Sequence, residues 1–412
     1  MKTLSLELVK TKIELFYLSC FLVLIFLINI FYEYAKYKDI TYDEVYSSEA
    51  VIVNIYKKEN IVKFNTGKFI FYSKINSLEN LKKFDRVRVL FISKYISFYS
   101  YLKGFYTKVL DLELLEKQKS IKANLILKIQ QQHQDKAISE LFLALFLAIP
   151  ASIELKEFFA NFSISHLIAI SGFHLAILSF IIYSFSFFFY NFYHQKYFNY
   201  RNKKYDILLF TSFIIFLYLL LTDIVASLLR SYIMFIIGIF LLRNNIKLLS
   251  FNSLLLTVFL ILAFFPKYLF SLSLWFSISA VFYIFLFIKY FKDLNKVFSF
   301  FFFNLWIFLV FNPIVHLFFY QTSLIQFYSI LLTMIFTIFY PLELFLHFIG
   351  LGNLLDEYIK SFLELKFIFY EVKTPFWFFL LYCVISLCSS FKKQFFWILN
   401  ILMVGFNLYL YI

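Results

Sequence analysis

The sequence contains no G-x-x-x-x-G-K-[ST] run, no glycine-rich dinucleotide fingerprint and no H-E-x-x-H or H-x-x-E-H helix. It therefore offers no phosphate-cradling ATPase loop, no cofactor turn and no metal-binding protease helix of its own. Cysteine is nearly absent. Cys20, Cys383 and Cys388 all fall in apolar segments and no pair occupies a polar region, so neither a disulfide framework nor a thiolate metal site is implied. No catalytic residue, metal or cofactor is assigned. Glycine occurs only seven times in 412 residues, so a glycine set among polar residues inside an apolar run stands out.

What is present is apolar. The chain is 62% hydrophobic with a mean hydropathy of +0.79, the composition of a polytopic membrane protein. Its net charge of +14 suits anionic lipid headgroups or a polyanionic cargo. Phe, Tyr, Ile, Lys and Asn are abundant together, a bias expected of an AT-rich genome, so the 63 phenylalanines are not counted as a base-stacking surface.

Lys2, Lys10 and Lys12 precede an apolar run from Ile13 to Tyr32, too long for a signal-peptide core. Residues 1–32 read as a membrane anchor with a cytoplasmic amino terminus. Residues 33–120 change character. Short alternating segments, among them Arg86–Ile92 with Val87, Val89 and Phe91 on one side, read as strands of a small extracytoplasmic β-barrel. Between residues 33 and 122 stand 17 basic and 11 acidic residues, a net of +6. Lys82, Lys83, Arg86 and Arg88 are its candidate contacts to a polyanionic cargo, and a spacer that caps the membrane domain is the alternative role. Residues 121–137 form an amphipathic interfacial helix, with Ile121, Leu125 and Ile129 on one face. Residues 138–412 form the membrane domain. Leu141–Ile153 is short for a crossing and reads as re-entrant or interfacial. Basic clusters at Lys196/Arg201/Lys203/Lys204, Arg243/Lys247 and Lys289/Lys292/Lys296 mark one side of the bundle as cytoplasmic. Lys392-Lys393 would then face the other side if both final apolar segments cross. The whole is expected to hold about 9–11 transmembrane or re-entrant segments.

Polar groups concentrate between Phe158 and Tyr190, in Ser163-Ile-Ser-His166-Leu-Ile-Ala-Ile-Ser171-Gly172-Phe-His174. If this is one continuous helix, His166, Ser163, His174 and Ser171 lie within an arc of about 140°. Gly172 would admit a close backbone approach or a break. Such groups at membrane depth usually face a cavity, although serines bonding their own carbonyls and a histidine bridging two helices are alternatives. Farther on, Asp223 and Arg230 are the only charges after Asp206 as far as residue 242. Asp223 is placed at an outer turn with Ser227 and Arg230 on its face; Arg230 either lines a path or snorkels outward. Ser273 and Ser277, four apart, share a side and also suit helix packing.

His166-Leu-Ile-Ala-Ile-Ser-Gly-Phe-His174 resembles the HLLAISGLH signature of the ComEC competence family, inner-membrane channels that admit transforming DNA into bacteria. Arg230-Ser-Tyr-Ile-Met234 resembles the family's R-A-x-x-M element with Ser231 for alanine, and Phe276-Ser277-Ile-Ser-Ala-Val281 its L-S-x-x-A-V helix. Ile149-Pro150-Ala151 departs from the usual Gly-Asp type turn, and a later family asparagine falls on Ile330. The resemblance implies an OB-like domain at residues 33–120 and a channel lined by His166, Ser171, Gly172, His174, Asp223, Arg230 and Ser277. It further implies single-stranded DNA as cargo, a periplasmic DNA-binding partner, and a separate cytoplasmic motor or single-strand-binding proteins. A carboxy-terminal nuclease-like domain of longer members is not expected in a chain ending at Ile412, so another protein would degrade the second strand. The expected location is the bacterial inner membrane. Alternatives from other classes are an intramembrane serine hydrolase built on Ser171 with His166 or His174, and a lipid or small-solute transporter.

Overall fold

The computed structural model describes residues 12–56, 60–75, 81–115, 121–197, 199–243, 251–365 and 367–411. Lys2, Lys10, Lys247 and the domain boundary expected at residue 120 lie outside the described residues.

A long helix α1 (Lys12–Ile40) leads into strands β1 (Val45–Tyr56), β2 (Ile61–Asn65), β3 (Ile70–Lys74) and β4 (Arg86–Ile92). A short helix α2 (Phe98–Lys103) and strands β5 (Phe105–Tyr106) and β6 (Val109–Leu114) complete the module. Period-two patterning explains its core. Along β4, Val87, Val89 and Phe91 are fully buried while Arg86, Arg88 and Leu90 point away. The sheet order is β5-β3-β2-β1-β4-β6, with β1 pairing first with β4 and then with β2.

This corrects the expected OB-like barrel. The sheet is open, with β5 and β6 as its two edges and no ladder between them. The reason lies in β5, which is two residues long. Beyond it, the Thr107 N–H turns to the Tyr72 carbonyl and the Lys108 carbonyl to the Ile92 N–H. The sheet still curls over its apolar side: two strands, β2 and β1, lie between Phe71 on β3 and Phe91 on β4, yet their ring centroids are 4.8 Å apart. Each fully buried phenylalanine contributes about 1.5–3 kcal/mol from area removed from water.

The module is seated on the membrane helices. The Tyr37 hydroxyl of α1 donates to the Ile96 carbonyl at 2.9 Å, and Ile40 enters the sheet's core. Glu33 of α1 accepts from Tyr101 at 2.9 Å and pairs with Lys267 at 2.9 Å. Burial lowers the Lys267 ammonium from the ordinary lysine range, and Glu33 partly restores it.

Then follow α3 (Ile121–Gln132), α4 (Lys136–Leu147), α5 (Ile153–Asn161), α6 (Ser165–Ile168), α7 (Gly172–Tyr197), α8 (Lys203–Leu221) and α9 (Ala226–Arg243). The remainder comprises α10 (Phe251–Phe264), α11 (Leu272–Tyr290), α12 (Lys296–Val315), β7 (Gln321–Thr322), α13 (Tyr328–Ile349), α14 (Asp356–Leu363), β8 (Tyr370–Glu371), α15 (Phe376–Ser389) and α16 (Lys393–Tyr411). Among the described residues eight helices are long and apolar enough to cross a membrane, and α10 and α15 are shorter apolar helices. The chain is thus a multi-pass, largely α-helical protein, with fewer full-length spans than the 9–11 segments expected. At 1.5 Å per residue α4 is only about 18 Å long, too short to cross. It is instead buried on nearly every side, from Leu141 to Leu147.

The carboxy-terminal pair resolves a conflict in the charge pattern. Lys289 Nζ donates to the Ser390 carbonyl at 2.6 Å, and the Tyr290 hydroxyl to the Ser389 carbonyl at 2.6 Å. The α15–α16 turn therefore sits beside Lys289, and Lys392-Lys393 join that basic end instead of opposing it.

Candidate functional site

The segment from Ser163 to His174 is not one helix. Ser163 takes a left-handed φ of +58°, α6 is a single turn, and Ala169 is extended before α7 begins at Gly172. The helical-wheel arc therefore does not apply across the motif. The break has a local cause. The Ser171 Oγ accepts the Phe173 N–H at 3.3 Å, and the Ser171 N–H donates to His174 Nδ1 at 3.2 Å. This is a reciprocal capping box, with histidine in the position usually held by Glu or Gln. Ser171-Gly-Phe-His174 thus starts α7 inside the apolar part of the chain.

His174 is completely buried, with its ring 4.6 Å from that of Tyr340 and 5.5 Å from that of Phe336. Because Nδ1 accepts from a backbone N–H, the neutral ring carries its hydrogen on Nε2, which makes no well-formed hydrogen bond among the described residues. His166 stands on the other side of the break, exposed, its Nδ1 donating to the Ser163 carbonyl at 3.1 Å. The two histidines of the motif therefore have different surroundings.

Arg230 closes on the same place from α9. It is buried, and each of its three nitrogens donates to a neutral acceptor: Nε to Ser277 Oγ at 2.7 Å, Nη2 to Ser231 Oγ at 2.7 Å and Nη1 to Met234 Sδ at 3.0 Å. Among the described residues no carboxylate pairs with it. A Cβ added to Gly172 would lie 2.8 Å from Ser231 Oγ and 3.0 Å from Arg230 Nη2. Glycine there lets the guanidinium lie against the first turn of α7. Ser227 Oγ, one turn before Ser231, donates to the Ile170 carbonyl at 2.6 Å and locks α9 to the break. Ser171, Gly172, His174, Arg230 and Ser277 are thus brought together, while His166 and Asp223 are not.

Asp223 lies in the α8–α9 turn with a left-handed φ of +56°, before α9 starts. Its side chain is two-thirds exposed and is ion-paired with Lys122 of α3. It does not continue the Arg230 face of α9, as helical periodicity suggested. The basic residues of the sheet are also engaged. Arg86 pairs with Glu49 at 2.7 Å and Arg88 with Glu113 at 3.4 Å, both at exposed sites. Lys83 Nζ donates to the Pro150 carbonyl at 3.3 Å, tying the module to the α4–α5 turn, and burial lowers its ammonium from the ordinary range. Lys82 differs: its backbone N–H donates to the Asp85 carboxylate at 2.9 Å, while the residue is exposed.

Two sets of residues escaped the sequence reading. Ser231 was read only as a departure from alanine, yet it is the acceptor that orients Arg230. His133, His347, Asp356 and Glu343 form a second buried polar cluster. More than 200 residues separate its two histidines, so no local spacing announces it.

The chain matches the family model described as Competence protein over residues 151–411, well over half its length. No curated protein and no solved structure matches it.

Proposed function

The chain belongs to the competence protein family, and on that premise we propose that it is a channel passing transforming single-stranded DNA through the bacterial inner membrane. One observation carries the reading: Arg230 is a buried cation whose hydrogen-bond partners among the described residues are two hydroxyls and a thioether, set against the amino-terminal turn of α7. A lipid-facing charge at mid-membrane costs about 2.5–3.5 kcal/mol on insertion scales, so such a group is retained where something solvates it. The partial positive charge of a helix amino terminus adds to it, and both favour an anion. A phosphodiester chain supplies one anion per nucleotide and cannot enter hydrocarbon, so it requires a protein-lined path.

In this reading the basic end of the bundle is cytoplasmic and the curled sheet extracytoplasmic. The sheet meets the cargo or caps the path. A periplasmic DNA-binding protein, a cytoplasmic motor or single-strand-binding proteins, and a separate nuclease complete the process, and this chain itself is not an enzyme.

Deletion of the gene, scored with labelled DNA for protection from external nuclease, tests the proposal. DNA bound at the surface but never protected is the expected outcome; unchanged protection sinks it. A hydrolase reading has one observation in its favour, the 3.2 Å contact between Ser171 Oγ and His174 Nδ1. The capping box accounts for that contact, and among the described residues His174 Nε2 meets no carboxylate. Labelling of Ser171 by a fluorophosphonate probe would reverse the preference.

A further inference from the structure

His133, just beyond α3, and His347, on the last turn of α13, face each other with their Nε2 atoms 2.9 Å apart. The outer nitrogens are also engaged. His133 Nδ1 lies 2.9 and 3.0 Å from the two Asp356 carboxylate oxygens. His347 Nδ1 lies 2.8 Å from the Glu343 carbonyl.

Hydrogen counting over these contacts gives a definite answer. A carbonyl oxygen only accepts, so His347 Nδ1 carries a hydrogen. A neutral His347 then has a bare Nε2, and the 2.9 Å contact needs the hydrogen of His133 Nε2. A neutral His133 would then turn a bare Nδ1 toward the lone pairs of Asp356. Moving that hydrogen to Nδ1 instead sets two bare Nε2 atoms against each other. Every arrangement that satisfies all three contacts holds one proton more than two neutral imidazoles and a carboxylate.

The two rings themselves are closed off from solvent. The His133 and His347 side chains are 0% and 6% exposed. The Phe142 ring lies 4.8 Å from His133 and 4.3 Å from His347, with Phe146 4.9 Å from His347. Two carboxylates balance the added charge. Asp356 on α14 is in direct contact, and Glu343 on α13 is wholly buried with Oε2 3.3 Å from His347 Nδ1. Among the described residues neither Glu343 carboxylate oxygen has a hydrogen-bond partner. From the other elements packed here, α4 brings the two phenylalanine rings and α3 the uncharged Gln132. Asp135, which caps α4, accepts the Ala137 N–H at 2.7 Å.

We propose that His133, His347 and Asp356 form a proton-binding site whose occupancy holds α3 against the α13–α14 corner. Gln132 completes the closed junction, donating to the His347 carbonyl at 3.2 Å and accepting the Gly352 N–H at 2.9 Å. The sign follows from the count. The closed junction binds the extra proton and the open one does not need it, so the junction is closed at low pH and opens as pH rises. The closed-to-open ratio falls by up to about tenfold per pH unit while the site empties. The other end of α3 holds Asp223 through Lys122, in the turn that leads into the Arg230 helix. Proton loss thereby loosens the support of that turn. The inference needs no DNA and stands apart from the function proposed above.

The test is hydrogen–deuterium exchange of residues 121–135 in the full-length protein in lipid nanodiscs, corrected for intrinsic exchange. In the unaltered protein, protection should fall by up to about tenfold per pH unit over the emptying range. Asp356→Asn supplies its own N–H to a neutral His133 and should keep α3 protected at every pH. Asp356→Ala should leave it unprotected throughout. A pH-independent wild type, or an Asn variant that behaves like the Ala variant, overturns the proposal. So does tightly retained stoichiometric zinc, which would bridge the two Nε2 atoms in the proton's place. If the Asn variant fails to accumulate, nitrogen-15 spectra of labelled histidines decide. A doubly protonated ring that disappears in His133→Gln, or a protonated Asp356 carboxyl in the carbon-13 spectrum, supports the site; neutral rings together with an ionised Asp356 at a pH where α3 is protected refute it.

Discussion

Replacing Gly172 with alanine adds a single methyl, and its surroundings fix what that does. The new Cβ would meet Ser231 Oγ at 2.8 Å and Arg230 Nη2 at 3.0 Å, so something must move. Ser231 can rotate away only by giving up its 2.9 Å bond to the Ser227 carbonyl and the 2.7 Å bond it accepts from Arg230. Overpacking of this kind costs about 1–3 kcal/mol. Alanine returns about 0.4–1 kcal/mol by narrowing the unfolded ensemble, since Gly172 does not use a left-handed φ. The net is a loss of about 1.3 kcal/mol from the middles of those two ranges, and at most about 2.6 kcal/mol from their extremes. Ser231→Ala removes the 2.8 Å clash at the cost of one acceptor of Arg230, so the two changes should not add. A double-mutant cycle on thermal unfolding of the purified protein should give a favourable coupling of about 1 kcal/mol in the Gly172→Ala, Ser231→Ala chain, within the usual range for contacting residues. Additive losses would falsify the claim that Gly172 exists to let α9 lie against the break.

Arg230→Ala should abolish protected DNA uptake with near-normal protein abundance, because the residue contributes charge where packing needs none; normal transformation refutes its place on the path. Ser171→Ala should cost about 0.5–2 kcal/mol by uncapping α7, whereas Ser171→Thr keeps an acceptor and should lose much less. Equal losses in thermal unfolding would show that the box does not hold the helix start. Glu49→Gln removes the carboxylate within 4.0 Å of both Arg86 and Arg88. If the sheet touches single-stranded DNA, the slope of log affinity against log salt should steepen by about 0.7 per added phosphate contact in the full-length protein. An unchanged slope places the cargo elsewhere.

Much of the fold was legible because it rests on local periods. The alternation of Val87, Val89 and Phe91 is visible in a seven-residue window, and the apolar runs are visible in twenty. The cost of burying Arg230 was also readable, since it depends on residue type. Barrel closure was not, because it turns on whether a two-residue edge strand finds a second edge, which alternation does not encode. The helix break escaped for a different reason. A capping box is normally sought as Ser/Thr followed by Glu/Gln, and here His174 supplies the acceptor. Asp223 falls in the turn as expected, but its direction was misread because periodicity was carried through two successive left-handed residues, Asp223 and Ile224. The His133–His347 pair depends on tertiary contact alone.

Helix α1 is unbroken from Lys12 to Ile40. At 1.5 Å per residue it is about 43 Å long, against a hydrocarbon layer of about 30 Å. Its far end is embedded in the sheet through Tyr37 and Ile40, and its middle is pinned to the membrane helices where Asn29 Nδ2 donates to the Ala263 carbonyl at 2.9 Å. Lys267, just beyond α10, grips the same rod at Glu33. Mechanically this is a mast stepped in the bilayer and stayed at two heights. A sideways pull on the sheet cannot be absorbed by a flexible stalk, because none is there. It is delivered as torque at Asn29 and Glu33, and so to α10, the helix that leads into the Ser277 wall of the Arg230 site.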